Sequence, residues 1–193
     1  MAEMMKGNEA IAEAAIRAGA RFYAGYPITP SSEIMEYLSW RMNEVGGAFV
    51  QAESELAGIN MVIGASSCGV RALTASSGPG ISLKQEGIST LCDEGLPAVV
   101  ITQVRYGNGL GTLFTSQCDY HRETHGGGQG DYRCIVLCPS SIQEFVDLML
   151  PAYELAEKYR IVTIMMGEGT LGQMMEPVEL PDFVEPKRTP WAL

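Results

Sequence analysis

Histidine is nearly absent from this sequence: His121 and His125 are the only two. Their i, i+4 spacing is that of zinc ligands on a helix. The stretch reads H-R-E-T-H, however, so its Glu does not stand where a metalloprotease base must. A third ligand would have to be a carboxylate or a thiol, and the pair reads instead as a polar feature of a loop near a site mouth. Positive charge is also scarce. Thirteen Lys and Arg face 23 Asp and Glu, a net charge of −10, which repels phosphate backbones and argues against a nucleic-acid partner. No apolar run is long enough to cross a bilayer, and Met1 to Gly7 lacks the apolar core of a signal peptide, so the expectation is a cytoplasmic chain without a membrane partner. The five cysteines, Cys68, Cys92, Cys118, Cys134 and Cys138, include no C-x-x-C pair. Cys134 with Cys138 is too little for an iron–sulfur cluster or a structural zinc, and these residues read as reduced thiols, mostly buried. The phosphate loop G-x-x-x-x-G-K-[ST] is missing. The G-x-G-x-G run at Gly107 to Gly111 stands far along the chain with no acidic residue closing a βαβ unit behind it, a weak dinucleotide signal. Ser76-Ser77-Gly78-Pro79-Gly80 lacks the flanks of a hydrolase nucleophile elbow.

What is present is the composition of one globular domain: 193 residues, 46 % apolar and 19 % charged, enough for a substantial core. An Ala-rich helix is expected over Asn8 to Ala18, with Gly19 just past its end. Strands are expected at Arg21 to Ala24, Ala48 to Gln51, Arg71 to Ala75, Pro97 to Val104, Cys134 to Leu137 and Ile161 to Met166. Helices alternate with them: one from Pro30, placed in its first turn, to about Val45; one from Ser54 to Ser66; one from Ile81 to about Cys92. The last runs from Ser141 to Tyr159, with a kink expected at Pro151. Six short strands alternating with helices predict an α/β fold: a doubly wound, mostly parallel six-stranded sheet with helices on both faces.

In such a sheet the loops that follow the strands emerge at one edge, where ligands bind. Here they are YPITPSS, QAESE, ASSGPG and QVRYGNGLG. Together they bring a hydroxyl (Thr29), carboxylates (Glu53 and Glu55), small flexible backbone (Ser76 to Gly80) and a guanidinium (Arg105) to that edge. Ser54 is expected to cap a helix whose first turn holds Glu55. An Arg among apolar and glycine-rich residues suits a carboxylate clamp, but it equally suits an ion pair with Asp119 or Glu123.

The ordered series YPITPSSEI, FVQAESELAGINMVIGAS, SSGPGISLKQEGIS, GGGQGDYRCIVLCP and MGEGTLGQMMEPVE resembles the α-type subunit of the 2-oxoacid:ferredoxin oxidoreductases. SLKQEGIS, GDYR and LGQMMEP are most similar to the branched-chain (3-methyl-2-oxobutanoate, VorB-like) branch. The resemblance implies the pyrimidine-binding domain of a thiamine diphosphate enzyme. In such enzymes a glutamate hydrogen-bonds the pyrimidine nitrogen N1′ and so favours the tautomer that takes the proton from thiazolium C2. Matched to that pattern the glutamate is Glu55, with Glu53 peripheral. Thr29 and Arg105 are expected at the substrate carboxylate, and Ile28, Ser77, Gly78 and Gly80, with Glu55, at the coenzyme. The chain departs from the pattern after Arg105, where Tyr106-Gly107-Asn108 replaces Gly-Gly-Pro or Gly-Pro, and at His121 and His125. Both departures fall where a substrate side chain would lie.

The G-D-G…N pattern that would hold the diphosphate and its magnesium is missing, since Gly167-Glu168-Gly169 is followed by no Asn. The resemblance therefore implies partners: a β-type diphosphate-binding subunit, a small iron–sulfur subunit carrying the cluster, and ferredoxin and coenzyme A reached through the complex. The implied activity is oxidative decarboxylation of a 2-oxoacid, branched-chain rather than 2-oxoglutarate. A non-catalytic α/β binding or assembly module is the alternative of another class. Residues 1–175 are expected to form the pyrimidine-binding domain. Residues 176–193 read as a Pro-rich extended tail that ends in Trp191-Ala192-Leu193, either an arm on its own domain or a linker to another.

Overall fold

The computed structural model describes residues 2–107 and 111–185. The chain begins with strand β1 (Glu3–Lys6) and helix α1 (Gly7–Arg17), then alternates: β2 (Phe22–Gly25), α2 (Ser32–Glu44), β3 (Ala48–Gln51), α3 (Glu55–Ser67), β4 (Ala72–Ser76), α4 (Gly78–Asp93) and β5 (Ala98–Val104). A short helix α5 (Tyr120–His125) precedes β6 (Ile135–Leu137), α6 (Ile142–Tyr159), β7 (Val162–Glu168), α7 (Gly169–Gln173) and β8 (Met175–Val178). Among the described residues, six strands form one sheet in the order β3-β2-β4-β5-β7-β6, with every pairing parallel. The doubly wound architecture expected from the alternation of strands and helices is the one observed.

The two faces of the sheet bury different residues of the same strands. On β5, Val99 and Ile101 join a core with α1, α2 and α6. Ala98 and Val100, pointing the other way, join a core with α3 and α4. This two-sided burial is why the strand is apolar almost throughout. Helix α1 lies deepest: Ala10, Ile11, Ala12, Ala14, Ala15 and Ile16 are all fully buried. Its alanines let α2 and α6 pack against it at short range. Among the described residues no helix is long and apolar enough to cross a membrane.

Three differences from the sequence reading bear on the site. Helix α4 starts at Gly78, not Ile81, so the SSGPG turn is itself the helix's first turn. Pro79 is tolerated there because the first N–H groups of a helix have no intrahelical acceptor. Helix α2 starts at Ser32, which leaves Pro30 outside it; the Pro30 carbonyl accepts from Asn8 Nδ2 at 2.7 Å and Gln173 Nε2 at 3.2 Å. The boundary drawn at residue 175 falls at the start of β8, which pairs antiparallel with β1, so the first residues of the supposed tail are a strand. Trp191-Ala192-Leu193 lie outside the described residues.

Candidate active site

Strand β3 lies to one side of β2 and β4 to the other. The chain's winding therefore reverses between β2 and β4, and in open α/β sheets the ligand crevice lies beyond the carboxyl ends of the strands at such a switch point. The loop from Tyr26 to Ser31 and the start of α4 face each other across it. Helix α3 points its first turn at the same place. Ser54 is its N-cap, and the Ser54 hydroxyl accepts from the Ala57 amide at 3.2 Å. Glu55 is the first helical residue and is 7 % exposed, whereas Glu53 is exposed. Among the described residues no group donates a hydrogen bond to the Glu55 carboxylate.

Helix α4 meets that carboxylate through glycine. A Cβ on Gly80 would lie 2.7 Å from Glu55 Oε1 and would clash with Ser76 Oγ. Gly78 has a φ of +45°, which a side chain tolerates poorly. A Cβ there would lie 2.9 Å from Arg105 Nε. Ser76 and Ser77 are fully buried, and both hydroxyls lack a partner among the described residues. Buried, unpaired hydroxyls are costly in an apolar setting, so these two mark a wall built to meet something polar.

Arg105 follows β5 and is 5 % exposed. Its Nη1 donates to the Thr29 carbonyl at 2.7 Å. Asp119 and Glu123, the acids that would have neutralised it, are taken by Arg122 instead, at 3.0 and 2.9 Å. Arg122 also donates to the Gly78 carbonyl and to Ser82 Oγ, pinning α5 to the start of α4. Arg105 thus stands without a carboxylate partner among the described residues. The Thr29 side chain is exposed, and Ile28 is half-buried with its carbonyl accepting from Ser31 at 2.9 Å (amide) and 2.8 Å (hydroxyl). Thr29, Arg105, Gly78, Gly80, Ser77 and Glu55 are therefore brought together around one crevice. His121 and His125, both exposed on α5, stack with ring centroids 4.0 Å apart. Among the described residues no three His, Cys, Asp or Glu side chains gather to hold a metal. The Asn108 to Leu110 part of the glycine run lies outside the described residues.

The sequence reading missed Lys84. It is fully buried on α4, and its Nζ donates to Thr74 Oγ1 at 2.6 Å. Burial pushes its pKa down to about 8, opposed by the Glu55 charge. The signal was available: Ile81, Lys84, Ile88 and Leu91 fall on one helical stripe, so a lysine occupies a core position. Also missed were the supports of the Thr29 loop. Asn8 ties Pro30 to Glu33 and accepts from Gln103 Nε2 at 3.0 Å, and Lys6 pairs with Glu33 at 2.7 Å. A separate cleft of about 390 Å³ opens at the ends of β5, β6 and β7, lined by Val104, Tyr120, Cys138, Pro139, Met166 and Glu168 among others.

A family model described as "Pyruvate flavodoxin/ferredoxin oxidoreductase, thiamine diP-bdg" matches residues 13–190. The chain is 51 % identical over 193 residues to the ketoisovalerate oxidoreductase subunit VorB of Methanothermobacter marburgensis, covering 99 % of this chain and 55 % of that protein. It is 46 % identical over 184 residues to the 2-oxoglutarate synthase subunit KorA of Methanocaldococcus jannaschii, covering 95 % of this chain and 50 % of that one. The chain thus spans about half the length of these curated relatives. Among solved structures, the 2-oxoglutarate:ferredoxin oxidoreductase from Magnetococcus marinus with 2-oxoglutarate, coenzyme A and succinyl-CoA bound matches with a TM-score of 0.89 and 32 % identity, over 97 % of this chain and 33 % of that one.

Proposed function

This chain belongs to the pyruvate flavodoxin/ferredoxin oxidoreductase thiamine diphosphate-binding family, and from that premise we propose that it forms the aminopyrimidine side of the coenzyme site in a cytoplasmic 2-oxoacid:ferredoxin oxidoreductase. The observation that carries the reading is a buried carboxylate, Glu55, with no protein hydrogen-bond donor among the described residues, facing a backbone stripped of side chain at Gly80. A flat heterocycle whose ring nitrogen shares a proton fits that carboxylate. The unpaired Ser76 and Ser77 hydroxyls offer further polar contacts. When bound, the coenzyme supplies the electron sink that lets a 2-oxoacid lose carbon dioxide.

The chain's own residues then have separable tasks. Glu55 holds the proton at N1′. Gly78 and Gly80 let backbone come close to the ring. Arg105, held by the Thr29 carbonyl and free of acidic partners among the described residues, is set to clamp the carboxylate of the 2-oxoacid. The diphosphate, its magnesium and the iron–sulfur cluster fall to partner chains, a β-type subunit and a small cluster-bearing subunit, with ferredoxin and coenzyme A engaged by the whole complex.

A branched-chain 2-oxoacid is the substrate we favour, in line with the VorB similarity. The KorA relatives support 2-oxoglutarate as the second reading. A Glu55→Gln variant tests the mechanism: it keeps the shape, loses the proton-accepting oxygen, and should assemble normally while turnover falls by about 10²-fold or more. Wild-type turnover in that variant would remove Glu55 from the chemistry. A panel of 2-oxoacids on the purified complex decides between the substrates.

A further inference from the structure

We propose that Arg122 is a positioning residue for binding of the 2-oxoacid carboxylate: it holds the two acids that would otherwise neutralise Arg105, and so keeps the Arg105 guanidinium open to substrate. This rests on the role given to Arg105 above. The contacts run through Gly78. A Cβ on that residue would lie 2.9 Å from Arg105 Nε and 3.5 Å from its Nη2, so the Arg105 guanidinium is seated directly against the Gly78 backbone. The carbonyl of the same glycine accepts from Arg122 Nη1 at 3.3 Å, and that nitrogen also donates to Ser82 Oγ at 3.1 Å. The rest of the Arg122 fork holds the acids. Nη2 meets Asp119 Oδ1 at 3.0 Å and Glu123 Oε1 at 2.9 Å, and Nε donates to Glu123 Oε1 at 3.2 Å. One planar guanidinium thus touches the seat of Arg105 with one nitrogen and both carboxylates with the other two.

The acids are only half satisfied by that arrangement. Asp119 and Glu123 are buried, and each uses one oxygen on Arg122. Asp119 Oδ2 and Glu123 Oε2 have no hydrogen-bond partner among the described residues. A buried carboxyl with an unfilled oxygen is drawn to a donor beside it. Arg105 belongs to the same neighbourhood: Cys118 Sγ lies 3.3 Å from the Arg105 carbonyl and 3.8 Å from Asp119 Oδ1. Arg105 also has capacity left. Its Nη1 is taken by the Thr29 carbonyl at 2.7 Å, while Nε and Nη2 make no hydrogen bond among the described residues. A guanidinium with two free nitrogens and a pair of under-satisfied acids close by form an ion pair unless another cation already holds the acids. Arg122 is that cation. Its own nitrogens are engaged by protein, so it acts on substrate binding through Arg105.

The test uses the assembled complex loaded with thiamine diphosphate and magnesium. It compares a 2-oxoacid that the complex turns over with the aldehyde bearing the same side chain, which has no carboxylate for Arg105 to hold. In Arg122→Gln the acids lose their cation and pair with Arg105. The expected result is a KM for the 2-oxoacid about tenfold higher, with kcat and the aldehyde KM within about twofold of wild type. Removing the acids as well, in Arg122→Gln/Asp119→Asn/Glu123→Gln, should return the 2-oxoacid KM to within about threefold of wild type. An unchanged 2-oxoacid KM in Arg122→Gln overturns the proposal. So does an equal rise for 2-oxoacid and aldehyde, which would make Arg122 only a strut for α5. If Arg122→Gln does not assemble, the triple variant decides: a 2-oxoacid KM near wild type supports the proposal, and a rise of about tenfold overturns it. Arg105→Gln checks the underlying reading, and its 2-oxoacid KM should rise by about a hundredfold, again without effect on the aldehyde. A wild-type 2-oxoacid KM in Arg105→Gln would overturn the role of Arg105 and this inference with it, an outcome distinct from failure at Arg122 alone.

Discussion

Lys84 is the residue whose energetics run against its neighbours. A fully buried lysine whose pKa falls from 10.5 to about 8 binds its proton more weakly folded than unfolded. Between those two values the unfolded chain carries more protons, so stability rises with pH across that window. Below pH 8 the whole penalty is present, on the order of 3 kcal/mol. Replacing Lys84 by Met removes that penalty, and leaving the Thr74 hydroxyl unpaired costs about 1 kcal/mol of the gain. The expected outcome is a variant more stable than wild type by about 2 kcal/mol at pH 7, with the advantage shrinking as pH climbs from 8 toward 10.5. Urea unfolding at pH 7 and pH 10 checks it, and a variant that is less stable at both would show the lysine to be a structural asset.

At the scale of elements, the proposed site is the junction where the first turns of α3 and α4 converge, and Gly80 is what lets them. Gly80→Ala places a methyl group 2.7 Å from Glu55 Oε1 and into Ser76 Oγ. The carboxylate must swing away, or α4 must back off. The expected result is a complex that folds and assembles but binds thiamine diphosphate at least about tenfold more weakly, a change of about 1.4 kcal/mol, measured by coenzyme titration. Unaltered affinity would mean that the crevice does not hold the ring. The alternation of apolar strands and helices was legible in the sequence, because burial on both faces makes each strand read as a run of apolar residues. The Ser54 cap and the placement of Glu55 were legible for the same local reason: a cap and its first turn are contiguous in sequence. Three things were not. The pairing of β1 with β8 joins Glu3–Lys6 to Met175–Val178, a contact between segments far apart in sequence that no local pattern encodes. Helix α5 is too short to show a period, so its Arg122, which takes Asp119 and Glu123 away from Arg105, could not be told apart from a loop residue. The first turn of α4 hid behind Gly78 and Pro79, which read as breakers until the missing N–H is recognised as one the helix does not use.

For the molecule as a whole, charge and site geometry point the same way. Thirteen basic residues stand against 23 acidic ones. Of the cations near the crevice, Lys84 is sealed in the core, while Arg122 is engaged by Asp119 and Glu123. Among the described residues near the crevice Arg105 is the guanidinium left, and one guanidinium proposed for a substrate carboxylate would not also hold a diphosphate with its magnesium. A chain at −10 also repels that ligand's charge over a distance of about 10 Å at ordinary ionic strength. The same field disfavours the docking of an acidic electron carrier on this chain. If the crevice recognises the aminopyrimidine alone, the isolated chain should bind thiamine weakly, at about millimolar, worth roughly 4 kcal/mol, and thiamine diphosphate no more tightly. Adding the partner chain and magnesium should tighten only the diphosphate form. Calorimetry with both ligands, with and without the partner, separates the cases. A strong preference for the diphosphate by the isolated chain would place an anion site on this polypeptide and would require that the partner's share of the coenzyme be redrawn.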